Sequence, residues 1–308
     1  MSLKIAVLGM GAVGSLYASQ LQAAGNDIIA CCRSDYDLVQ QKGITIKHPN
    51  GSITQFKPNK VVKALSDLSE SVDIVIVATK VLPSIDTVSA LKGLNFKAIL
   101  LLQNGIFIET DIKQAFPGKE LLSGLAFVCV SRLKPGYVHH QDYGALCIGK
   151  YPKGSSDAAL LLSKQFESIG TKCIVSEDVL SARFKKLCWN APFNPLSVTE
   201  GELSTESLLA IKGMEQTIYR IMKEVQHIAN HCGHGFSDEV IHKHIADTKK
   251  MVAYKTSMLL DWQHNRDIEI DAILGHAIAY AKNEQLQCPE LIALYDKLAM
   301  LIDKRSKA

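Results

Sequence analysis

The chain has 308 residues, 47% of them hydrophobic and 21% charged, with a formal net charge of +3. That length accommodates about two domains, and the balance is that of an ordinary globular protein. No dense run of lysine or arginine offers a nucleic-acid surface, and no apolar run approaches the roughly 20 residues of a membrane span. The N-terminus lacks the basic and apolar regions of a signal peptide, and the eight scattered cysteines read as reduced thiols of a cytoplasmic protein.

The apolar run Ile5-Ala6-Val7-Leu8 predicts a buried strand that leads directly into Gly9-Met10-Gly11-Ala12-Val13-Gly14. A G-x-G-x-x-G turn between a strand and a helix is the dinucleotide-binding fingerprint. The first glycine permits the turn, the second lets a pyrophosphate approach the backbone, and the third lets the helix pack on the strand. A helical stretch from Ser15 to Ala24 ends at Gly25, and Asp27–Cys32 supplies the second strand of a βαβ unit. An NAD-selective site places Asp or Glu about 20 residues beyond the fingerprint, whereas Arg33 and Ser34 follow the strand here. A guanidinium pairs with a 2′-phosphate in bidentate fashion, which favours NADPH over NADH. Asp35 and Asp37 pull the other way, and a plain solvated arginine is the alternative.

Two short strands, Gly43–Lys47 and Ser52–Phe56, flank the turn Pro49-Asn50-Gly51. Asp73–Ala78 reads as a fully buried parallel strand followed by a helix to about Lys92. Lys97–Leu102 and Leu121–Val130 repeat the strand pattern, and Tyr137–His140 with Ala145–Gly149 predict an antiparallel pair finishing one edge of the sheet. From about Asp178 the pattern is helical. The expected fold is therefore α/β: a doubly wound, Rossmann-like N-terminal domain over residues 1–176, followed by an all-α domain over 177–308.

Ligands of open α/β sheets bind beyond the carboxyl ends of strands, which singles out Lys80 in Thr79-Lys80 and Asn104 in Gln103-Asn104-Gly105. Without a ligand these are a surface lysine and ordinary turn chemistry. In the helical half, Lys186, Asn190 and Asn194 stand four apart, so a helix aligns them on one face. Their neighbours Phe184, Leu187, Trp189 and Phe193 are apolar, and Pro192 removes a helical N–H and is expected to kink the helix. A buried lysine and two buried amides need partners; the alternative is a polar surface face. His227, His231, Cys232 and His234 lie close together, but Gly233 and Gly235 mark a helix end and the second half of a zinc site is missing. A polar helix terminus, with no metal, is the expectation.

These segments, with Ser257-Met258-Leu259, Asp261 and Glu269-Ile270-Asp271 in the same order, make the chain resemble the ketopantoate reductase (2-dehydropantoate 2-reductase) family from Lys4 to about Leu301. The resemblance implies a pyrophosphate site at Gly9, Met10, Gly11, Ala12, Val13 and Gly14, and contacts from Arg33 and Lys80 to the 2′-phosphate end of NADPH. Asn104 is implied to touch cofactor and substrate, Lys186 to be the general acid, and Asn190, Asn194 and Ser257 to hold the substrate. Glu269 is implied to contact the cofactor ribose and place Lys186, with Asp261 in support. The chain departs from the family pattern at Glu200, before Gly201, and across Ser131–Gly136.

The implied reaction is NADPH-dependent reduction of 2-dehydropantoate (ketopantoate) to pantoate, a step of pantothenate and coenzyme A biosynthesis. Charge developing on the carbonyl oxygen would be met by an ammonium, a form of catalysis giving roughly 100- to 10,000-fold. The alternatives are a paralogous NADPH-dependent reductase of another 2-oxo acid and a non-catalytic NADPH-binding sensor. The expected partner is a small 2-oxo acid, with no nucleic acid or membrane, for a monomer or homodimer.

Overall fold

The computed structural model describes residues 2–251 and 253–307. They divide into two compact units. One runs through Gln103 and resumes over Ile108–Val179; the other comprises Asn104–Phe107 and the chain from Leu180 onward.

The first unit is built on a ten-stranded sheet. Its strands are β1 (Lys4–Leu8), β2 (Asp27–Cys31), β3 (Ile44–Lys47), β4 (Ile53–Phe56), β5 (Lys60–Val62), β6 (Val72–Val77), β7 (Phe96–Leu101), β8 (Glu120–Lys134), β9 (Tyr137–Lys150) and β10 (Cys173–Val175). The order is β4-β3-β9-β8-β7-β6-β1-β2-β5, with β10 beside β9. From β5 to β8 every pairing is parallel. Strands covered on both faces need apolar residues at every position, and the side chains divide accordingly. Ile5, Val7, Ile28, Ala30, Ile74, Ile76 and Leu100 enter one buried cluster, while Ala6, Ile29, Val75, Val77, Ile99 and Leu101 enter another. The helix Ala12–Ala23 packs into the first cluster through Leu16, Tyr17 and Leu21, and the Tyr17 ring meets Phe166 edge to face at 5.8 Å.

Two local expectations are corrected. Tyr137–His140 and Ala145–Gly149 are one strand, β9, rather than a pair, and β9 lies inside the sheet between β8 and β3. Its antiparallel partner is the longer β8, reached through Pro135-Gly136, and register shifts along the ladder break the alternation that suggested two strands. The helix after β6 is also delayed. Residues 80–86 are irregular and the helix is confined to Thr87–Leu91. Pro83 lacks an N–H to continue a helix, and Asp86 provides the N-cap, its carboxylate accepting from Ser89 N.

The second unit is helical, with the long helices Val179–Thr199, Met214–His231, Asp238–Lys250 and Pro289–Ser306. Met214–His231 buries Ile218, Ile221, Met222, Val225, Ile228 and Ala229 on one stripe, the spacing of an amphipathic helix. Val179–Thr199 continues through Pro192 and Pro195, so the carbonyls of Cys188 and Ala191 lose their helical N–H partners. Among the described residues no helix is long and apolar enough to cross a membrane.

Candidate active site

Gly9 follows β1 at φ +98°, and a Cβ there would stand 2.7 Å from the Thr79 nitrogen. A Cβ on Gly14 would stand 2.0 Å from the Gly9 carbonyl oxygen. The fold itself therefore demands glycine at both positions. Gly11 is different: its φ of −74° suits any residue, and a Cβ would meet nothing within 4 Å. Only something outside the protein would gain from the missing side chain. Gly11 is also the N-cap of Ala12–Ala23, which has no side-chain cap and no acidic residue in its first turn. Its first amides and the positive end of its dipole are thus left for an anion. The residues present fit a dinucleotide pyrophosphate.

The neighbouring strands β2 and β6 end in cations. Arg33 is exposed just past β2, and Lys80 is half-buried beyond β6. Asp35, the acidic residue nearest Arg33 that is buried, accepts from Arg132 Nη1 at 2.8 Å and from Ser34 Oγ at 2.8 Å. Asp37 lies in the first turn of the helix Tyr36–Lys42. On the far side of the glycine turn, Gln103 Nε2 donates to the Thr79 carbonyl at 3.0 Å, tying the end of β7 to the backbone that Gly9 touches.

In the helical unit, Lys186 lies midway along Val179–Thr199 and its Nζ donates to Asn104 Oδ1 at 3.0 Å. Burial first, and then the Arg183 guanidinium, push the Lys186 amine down to about 8, against an upward pull from Glu269. An ammonium so perturbed is poised to give up its proton near neutrality. Asn190 and Asn194 continue the same stripe and are buried. Ser197 Oγ donates to the Asn194 carbonyl at 2.7 Å and shares a 2.7 Å hydrogen bond with Thr256 Oγ1. Thr256 in turn caps the helix Ser257–Gln263 by accepting from Leu259 N at 3.1 Å. This chain of bonds fixes the start of the helix on which Ser257 stands exposed.

Glu269 is half-buried just before a π-helical turn, Asp271–Gly275, an irregularity common at functional sites. The loop leading to it is braced from the C-terminal helix. Arg305 Nη1 donates to the Trp262 carbonyl at 3.2 Å and Nη2 to the Arg266 carbonyl at 3.1 Å, with the guanidinium 4.0 Å from the Trp262 ring centroid. Asp261 pairs with Arg266 at 3.4 Å.

Of the residues singled out by sequence, Gly9–Gly14, Arg33 and Lys80 belong to the first unit; Asn104, Lys186, Asn190, Asn194, Ser257, Asp261 and Glu269 belong to the second. Sequence reasoning missed Arg183 and the Ser197–Thr256 pair. Arg183 was detectable, because it precedes Lys186 by three residues and so extends the polar stripe of that helix by one turn. Among the described residues no group of three His, Cys, Asp or Glu is placed to hold a metal. His231 Nδ1 instead lies 3.0 Å from the Tyr280 hydroxyl.

A sheet that is parallel from β5 to β8 and opens with this glycine turn gives the first unit a Rossmann-like fold, and the chain continues into a helical unit carrying a perturbed lysine. The model of the family "Ketopantoate reductase PanE/ApbA" matches residues 5–153, and that of its C-terminal domain matches residues 178–301. The chain is 33% identical to 2-dehydropantoate 2-reductase of Nostoc sp., over 97% of this chain and 95% of that one. The crystal structure of 2-dehydropantoate 2-reductase from Methylococcus capsulatus superposes with a TM-score of 0.92 at 36% identity, covering 99% of this chain and 98% of that one. That of the Geobacter metallireducens GS-15 enzyme gives 0.90 at 29% identity, covering 97% and 100%. The chain belongs to the ketopantoate reductase family, a family of pyridine-nucleotide-dependent oxidoreductases.

Proposed function

We propose that this chain reduces 2-dehydropantoate to pantoate with NADPH, and that Lys186 is the general acid. The observation that carries the reading is the state of Lys186. It is half-buried, its Nζ is directed by Asn104, and its amine is lowered to about 8. The substrate follows from family membership and from the relatives named 2-dehydropantoate 2-reductase. Preference for NADPH is supported by Arg33 at the end of β2, and by Asp35 being engaged with Arg132.

Gly9–Gly14 would hold the cofactor pyrophosphate, and Arg33 with Lys80 its 2′-phosphate end. When bound, the reduced nicotinamide supplies a hydride to the C2 ketone. Lys186 meets the charge growing on the carbonyl oxygen and passes it a proton. Asn104 limits the directions that the ammonium can take. The buried amides of Asn190 and Asn194, with the Ser257 hydroxyl, bind the carboxylate and hydroxyl groups as neutral donors and so leave Lys186 its charge. Glu269 favours the protonated lysine, offsetting part of the effect of burial.

Initial rates with NADPH or NADH against a panel of 2-oxo acids test this function. The expected result is fastest NADPH oxidation with 2-dehydropantoate. Turnover confined to a different 2-oxo acid would reassign the substrate, and NADPH binding without turnover on any would make the chain a sensor.

A further inference from the structure

The segment Asn104–Phe107 is fastened within the helical unit at every residue. Asn104 Oδ1 accepts from Lys186, and the Gly105 carbonyl accepts from Arg183 Nη1 at 3.0 Å. Ile106 N donates to the Ala272 carbonyl at 3.3 Å, and its own carbonyl lies 3.0 Å from His276 Nδ1. The Phe107 ring stacks on Tyr280 at 4.9 Å and meets Phe184 edge-on at 5.8 Å. Gly105 sits at φ +102°, where a Cβ would stand 2.5 Å from the Ala272 oxygen. The segment has no slack at that point.

Arg183 is 3% exposed. A buried guanidinium is costly unless its donors and charge are used, and one of those donors is committed to the Gly105 carbonyl. Arg183 and Lys186 lie one helical turn apart on a single face, and they grip consecutive residues of the segment. We propose that Arg183 is a positioning residue: by holding the Gly105 carbonyl it sets the backbone so that the Asn104 amide oxygen receives the Lys186 ammonium. This inference rests on Lys186 acting as the acid. Among the described residues, Arg183 from its own helix and Glu269 from the stretch before the π-helical turn are charged groups that act on Lys186. Arg183 therefore also disfavours the protonated amine that it helps to aim.

The test is a double-mutant cycle of Arg183→Met with Asn104→Ala, together with acetic anhydride labelling of Lys186 against pH in the free enzyme, read by mass spectrometry. Arg183→Met is expected to lower kcat on the order of tenfold or more while NADPH affinity changes by less than about threefold. In the Asn104→Ala background the same substitution should cost less than about threefold, because both act through one contact. The labelling midpoint of Lys186 should move to higher pH. Fully additive losses, or an unmoved midpoint, would overturn the proposal. Should Arg183→Met fail to fold, Arg183→Lys keeps the charge and loses the fork; a lowered kcat with an unmoved midpoint supports the proposal, and undiminished kcat overturns it. Labelling needs no turnover, so a wild-type chain inactive on 2-dehydropantoate would count against the proposed function while leaving the Arg183 effect on Lys186 measurable.

Discussion

Lys186 Nζ and Asn104 Oδ1 are 82 residues apart in the chain and 3.0 Å apart in the fold. The amide oxygen offers the ammonium an acceptor without neutralising it, so the lysine keeps its proton and loses rotational freedom. Asn104→Ala removes that guidance. Its kcat for 2-dehydropantoate is expected to fall roughly ten- to a hundredfold, measured by NADPH oxidation at saturating substrate.

An acid must carry its proton, so the rate of reduction should decline as pH rises past about 8, where Lys186 titrates. Glu269 raises the proton affinity of Lys186. Glu269→Gln should therefore shift this alkaline limb to lower pH, as read from kcat/KM profiles of the two proteins. A shift to higher pH would mean that Glu269 does not act on Lys186 through its charge.

The same perturbation has a stability consequence of definite sign. The amine is held at about 8 in the folded protein against 10.5 ordinarily, so between those values the unfolded chain binds more protons. Folding stability then rises with pH through that window, and the full penalty applies below it, on the order of 3 kcal/mol. Lys186→Met is expected to be more stable than wild type at pH 7. Denaturant titrations at several pH values should show this advantage shrinking toward zero as pH rises to about 10.5.

Two glycines of the turn, Gly11 and Gly14, should separate by experiment. Gly14→Ala forces a Cβ onto the Gly9 carbonyl and should lower the melting temperature sharply. Gly11→Ala projects into open space, so its stability cost should stay below about 1 kcal/mol. Its NADPH affinity should nevertheless fall, since the methyl occupies the space a pyrophosphate would use. Thermal melts with and without NADPH distinguish the two variants.

The parts of the molecule legible in the sequence are those governed by local rules. The strands β1, β2, β6 and β7 are buried on both faces and so are continuous apolar runs, and the glycine spacing depends on a single turn. The stripe Lys186, Asn190, Asn194 follows from helical periodicity. What stayed hidden depends on distant partners. The residues of β9 read as two strands because its register with β8 shifts where they alone suggest a turn. Nothing in Gln103-Asn104-Gly105-Ile106-Phe107 discloses that four of these residues pack with the helical unit. The acceptor of Arg183 lies 78 residues away, and the Ser197–Thr256 bond joins positions 59 apart. Pairings of that range come from packing, which periodicity does not encode.

The most direct measurement is stopped-flow NADPH oxidation by wild type and Lys186→Ala at saturating 2-dehydropantoate, with NADPH affinity determined separately for each. The variant is predicted to be slower by at least about a hundredfold with NADPH affinity nearly intact. A variant turning over at the wild-type rate would contradict the assignment of Lys186 as the acid.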